Sequence, residues 1–67
     1  MKFSIGELVR WYEVYDDVSI VKSSGLGVVS KIRTYSNEQD TINYYTVFTA
    51  KDKKEMLFEE IYLEKIK

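Results

Sequence analysis

Cysteine, histidine and proline are all missing from this 67-residue chain, and glycine occurs only three times. Without cysteine there is no disulfide framework and no thiolate metal site, which suits a reducing compartment. Without histidine the chain lacks the commonest general base and, with cysteine also gone, the usual transition-metal ligands. Neither sign of charge dominates: ten Lys and Arg face eleven Asp and Glu, a formal net charge of −1. That balance counts against a nucleic-acid binder, which usually carries a basic excess or stripe. No apolar run approaches the ~20 residues that span a bilayer. The opening "MKFSIGELVRW" has no apolar core followed by a small-residue cleavage site, so it does not read as a signal peptide. The expected location is cytoplasmic, with no membrane contact.

What the chain does have is aromatic bulk: one Trp, six Tyr and three Phe. Each such side chain buries on the order of 150–250 Å². The bulk matters because a domain of this size buries only roughly 60% of its unfolded surface. With 45% apolar and 31% charged residues, the composition is that of a folded domain, and the length allows a single one over residues 1–67.

Four segments alternate as strands do. In "ELVRWYEVY" (7–15), Val9 and Trp11 share one face and Leu8, Arg10, Tyr12 and Val14 the other, with Gly6 marking a tight turn before it. In "LGVVSKIRTY" (26–35), Val29 and Ile32 are three apart, so burying both requires a β-bulge near Ser30 or Lys31. In "INYYTVFTA" (42–50), Tyr45 and Val47 oppose Tyr44, Thr46 and Phe48; in "KEMLFEE" (54–60), Met56 and Phe58 point together. Between these lie a long first loop (16–25), which can hold a short extended piece at "VSIVK", a polar hairpin loop "SNEQDT" and a tight charged turn "KDKK". The tail "EIYLEKIK" is too short for a free-standing helix. A single tight turn at 59–62 and a short fifth strand, with Leu63 and Ile66 plugging the core, account for it better. The expected fold is therefore all-β, with about five strands and a short 3-10 turn before the last.

"GELVRW", "GLGVVSKI", "YTVF" and "FEEIYLEKI" together resemble the small SH3-like β-barrels, including Tudor-type and KOW-type domains. The resemblance covers nearly the whole chain, and it implies a fold more than a function. "LVRWYE" and "GLGVV" are also similar to short proteins of large tailed phages, which implies a phage origin and no defined activity.

The pair of glycines in "SSGLGVVSKI" invites comparison with phosphate-binding loops. Ser30 stands where a dinucleotide fingerprint needs its third glycine, and no Gly-Lys-Ser/Thr follows. The segment continues as a strand, with Gly25 expected at positive φ and Gly27 admitting a close neighbour. The acids are no more suggestive. Asp16 and Asp17 are adjacent, as are Glu59 and Glu60, so each pair splits across a strand. Glu38 and Asp40 lack the oxygen-rich spacing of a calcium loop. No convergent catalytic, metal or cofactor set emerges, and the chain does not read as an enzyme.

With Trp11, Tyr45 and Phe58 assigned to the core, other aromatics remain outside. Tyr12, Tyr15, Tyr35, Tyr44 and Phe48 are the candidate protein-binding residues, because Tyr and Trp concentrate at interfaces. They can equally cover the outer seam as cross-strand pairs, as can Tyr62. Resemblance to Tudor-type domains adds a cation–π role for such aromatics. Arg10, Lys22, Lys31 and Arg33 are the nucleic-acid alternative if pairing of the first two strands gathers them, with Lys51, Lys53 and Lys54 on a hairpin tip. The leading expectation is a non-catalytic protein-binding module acting on a host or phage macromolecular complex in the host cytoplasm. The alternatives are a KOW-like contact with nucleic acid or a transcription complex, and a small virion component that forms homo-oligomers.

Overall fold

The computed structural model describes residues 2–16 and 20–66. It is all-β: β1 (Leu8–Val14), β2 (Val21–Ser36), β3 (Thr41–Thr49), β4 (Glu55–Glu59), a 3-10 turn (Glu60–Tyr62) and β5 (Leu63–Lys65). The five strands form one antiparallel sheet in the order β4-β3-β2-β1-β5. The expected turn before the last strand is there, and so are the alternating faces of β1 and β3.

The sheet curls without closing. β1 and β4 are separated in the ladder by two strands, which would hold them about 14 Å apart in a flat sheet. Yet the Trp11 and Phe58 rings stack with centroids 5.7 Å apart. The ladder ends at β4 on one side and β5 on the other, and the 3-10 turn carries the chain across that gap.

The curl wraps one core, built from Phe3, Val9, Trp11, Val29, Tyr45, Val47, Phe58 and Leu63, with Ile32, Met56 and Tyr62 packed against it. All five strands contribute to it. Polar atoms inside are matched: the Trp11 indole N–H donates to the Leu26 carbonyl at 3.2 Å, and the Thr49 hydroxyl to the Lys54 carbonyl at 3.1 Å.

The bulge falls where the Val29/Ile32 spacing requires it, as a register shift between Val29 and Lys31 opposite β3. The extra residue, Ser30, restores the parity that turns both Val29 and Ile32 inward. Its hydroxyl lies 3.0 Å from a Glu55 carboxylate oxygen and 3.3 Å from the Thr46 carbonyl.

Three expectations are corrected. The first loop is shorter, because β2 begins at Val21 and its first residues pair with Tyr12–Val14; Asp17, Val18 and Ser19 lie outside the described residues. Gly25 is not at positive φ; among the described glycines only Gly6, at 89°, is. What excludes a side chain at Gly25 is the Trp11 ring, 2.7 Å from where a Cβ would sit. Ile66 does not plug the core but stays 37% exposed, because β5 ends at Lys65. Phe3 joins the core instead, with its ring meeting Tyr45 edge-on at 5.3 Å. Gly27 does admit a close neighbour: a Cβ there would lie 2.5 Å from Val47 Cγ1 and 2.6 Å from the Phe48 carbonyl oxygen.

Candidate binding surface

Filling the inner face leaves the outer face of the sheet with an unusual share of apolar side chains. Strand parity puts Tyr44 and Phe48 outward from β3 because Tyr45 and Val47 point in. The same rule sends Leu57 outward from β4 between Met56 and Phe58. The register then assembles rows across the face. Val28, Phe48 and Glu55 form one, with Leu8 beyond Val28. Lys31, Thr46 and Leu57 form the next, then Arg33, Tyr44 and Glu59, and finally Tyr35 and Ile42.

Two of the five candidate aromatics meet on this face. Tyr35 and Tyr44 pack edge to face, with centroids 5.5 Å apart and planes at 82°. With Ile42 and Leu57 they line an open depression of about 390 Å³ whose walls are mostly apolar. Tyr35 is 55% exposed and Leu57 61%. Phe48 is on the same face and 45% exposed, two rows away beyond Thr46.

The other two stand apart. Tyr12 projects from the outer face of β1 opposite Ser24, and its hydroxyl lies 3.3 Å from a Glu64 carboxylate oxygen. Tyr15 follows β1, exposed, with its backbone N–H donating to the Ile20 carbonyl. Tyr12 also helps line a smaller cleft of about 280 Å³ with Val14, Met56, Leu57, Phe58 and Tyr62, where β1 faces β4 without pairing, so Leu57 borders both depressions. The five aromatics therefore divide between two regions.

The basic residues divide as well. β1 and β2 do pair, but Leu8 sits opposite Val28, so β1 ends before β2 reaches Lys31. Lys31 and Arg33 face β3, opposite Thr46 and Tyr44. Arg10 is opposite Leu26 and Glu64, and Lys22 is near the start of β2. Lys22 and Arg33 are about 35 Å apart along one strand. Glu55 and Glu59 border the same face as Lys31 and Arg33, which breaks up any basic field there.

A hydrogen-bonded polar cluster lies at the edge of the core. The buried Tyr45 hydroxyl donates to a Glu60 carboxylate oxygen at 3.2 Å and accepts the Lys2 backbone N–H at 3.2 Å. Asn43 Nδ2 donates to the same Glu60 oxygen, also at 3.2 Å. Burial raises the Tyr45 pKa, and the nearby Glu60 charge adds to the rise against the lowering effect of the Phe3 and Lys2 backbone. The cluster joins the N-terminal segment, β3 and the 3-10 turn, and is structural. Sequence reasoning missed Leu57 and Ile42 at the depression, although the parity that buries Met56 and Phe58 already turns Leu57 outward.

Comparison with known protein families, curated proteins and solved structures returns no match.

Proposed function

We propose that this chain is a non-catalytic protein-binding module that uses the outer face of β2, β3 and β4. The observation that carries this reading is the apolar depression of Tyr35, Ile42, Tyr44 and Leu57, open to solvent on a domain whose core is already filled. Exposed apolar clusters rimmed by polar residues mark interaction sites more often than they serve stability. Tyrosines suit the role, since they offer rigid apolar area with a polar tip. The strand order and the 3-10 turn before β5 support an SH3-like assignment. The phage origin, and action on a host or phage complex, rest on the resemblance of "LVRWYE" and "GLGVV".

The test is affinity capture with the wild type and a folded Tyr35→Ala/Leu57→Ala variant. Loss of a specific retained protein by the variant is the expected result. Equal retention by both proteins overturns the assignment of this face. Titration with nucleic acid at low and high salt tests the alternative, because phosphate contacts strengthen as salt falls; binding that weakens steeply with salt and survives in the Tyr35→Ala/Leu57→Ala variant would replace the protein-binding reading.

A further inference from the structure

We propose that the outer face of β2, β3 and β4 is a self-complementary interface for a second copy of this chain, arranged about a two-fold axis running along β3. The proposal deepens the protein-binding reading by naming the partner, and it rests on that reading's choice of face.

Across the face, β2 presents Lys31 and Arg33, β3 presents Tyr44 and Phe48, and β4 presents Glu55 and Glu59. The charged positions run from basic on β2 to acidic on β4 across an uncharged β3, with Val28, Tyr35 and Leu57 apolar among them. Rotation by 180° about β3 exchanges β2 with β4 and keeps the strand directions aligned, as in sheet-on-sheet packing. Arg33, Tyr44 and Glu59 share a row, so the rotation lays Arg33 of each copy over Glu59 of the other. Lys31 then falls one pleat, about 7 Å, from Glu55 of the other copy. Ile42, Tyr44, Thr46 and Phe48 meet their own counterparts on the axis, as isologous contacts require.

The alternative axis is disfavoured by the same charges. A two-fold running across the strands at Thr46 would set Glu55 against Glu59 of the other copy and leave Lys31 against itself. Only the axis along β3 pairs opposite charges. Within one chain Arg33 and Glu59 are two strands apart, with Tyr44 between them. The three-stranded face spans roughly 350 Å² per chain, small beside a standard specific interface, which implies a weak, concentration-dependent dimer.

The test is sedimentation equilibrium of the full chain from about 10 μM to about 1 mM at low salt. Wild type is expected to self-associate. Arg33→Glu alone and Glu59→Arg alone are each expected to weaken association by about tenfold or more, since each places two like-charge contacts in the interface. An equimolar mixture of the two variants restores both contacts, and so does the double variant; each is expected to return to within about threefold of wild type. Both side chains point away from the core, and circular dichroism verifies that the variants fold. As a second readout, a short bis-maleimide reagent should join two chains through Thr46→Cys, on the axis, and not through Asp52→Cys at the exposed turn. A wild type that stays monomeric throughout overturns the dimer and leaves the protein-binding reading to its own capture experiment. Single variants that associate as wild type does, or a mixture that fails to recover, overturn the two-fold placement.

Discussion

β3 carries adjacent tyrosines that do opposite work. Tyr45 is fully buried, with its ring against Phe3 and its hydroxyl bonded to Glu60 and Lys2. Tyr44, one position earlier, faces outward beside Tyr35 and over the apolar depression. The residue type is the same and only the parity differs. The inner face stabilises the chain, and the outer face has apolar area that the fold itself does not need.

The sharpest way to break that contrast is truncation on each side. Tyr45→Ala should cost about 3–5 kcal/mol, as large-to-small changes of buried aromatics do. That rivals the low end of the roughly 5–15 kcal/mol that holds a domain together, so the variant should be largely unfolded. Tyr44→Ala should cost about 1 kcal/mol or less. Urea denaturation of both variants checks the difference, and comparable losses would refute it.

The glycines offer a smaller contrast. Gly27→Ala forces a Cβ against a backbone carbonyl that cannot move aside, and about 1–3 kcal/mol should be lost. Gly6→Ala meets no atom within 4 Å, so its cost is conformational alone, about 1 kcal/mol for a residue at positive φ. Thermal unfolding should rank them in that order.

A subtler change keeps the Tyr45 ring and removes its hydroxyl. Tyr45→Phe should lose about 1.5–3 kcal/mol at neutral pH, the scale of a hydrogen bond to a charged group. It should also alter the alkaline limb of stability. The folded protein holds the Tyr45 proton to higher pH than the unfolded chain, whose tyrosines ionise near 10. The contribution is therefore intact below about pH 10 and is lost as pH rises through the folded pKa. Denaturation at several alkaline pH values should show a steeper fall in wild type than in Tyr45→Phe.

The smallest effect is expected at Tyr35→Ala, within about 0.5 kcal/mol in stability, with its consequence appearing in partner capture instead.

Much of this arrangement was legible from residue order. Alternation in "LVRWYEV" and "NYYTVF" assigned the faces, and the three-residue gap between Val29 and Ile32 required the bulge. The start of β2 was legible only as the extended piece expected at "VSIVK", of which Val21 and Lys22 open the strand; "SSG" is polar and glycine-ended and owes its strand conformation to pairing with β1. The role of Phe3 was not legible, because it lies outside any alternating run and reaches the core through the turn at Gly6. The outer face needed the register: only the pairing of Leu8 with Val28 separates Arg10 from Lys31 and Arg33, and only Tyr35 opposite Ile42 sets that ring beside Tyr44. Local sequence fixes which way a side chain points; what it points beside depends on strands far away in the chain.

The pairing of β1 with β5, Val9 against Lys65 and Trp11 against Leu63, has a kinetic meaning. The β2–β3 and β3–β4 hairpins can zip from nearby residues within microseconds. β1 cannot gain its second neighbour until the far end of the domain arrives. Such long-range pairing raises contact order, and chains of this kind fold in milliseconds to seconds. While a refolding chain waits, the β1 edge that β5 will cover is open to other molecules, so refolding yield should fall as protein concentration rises.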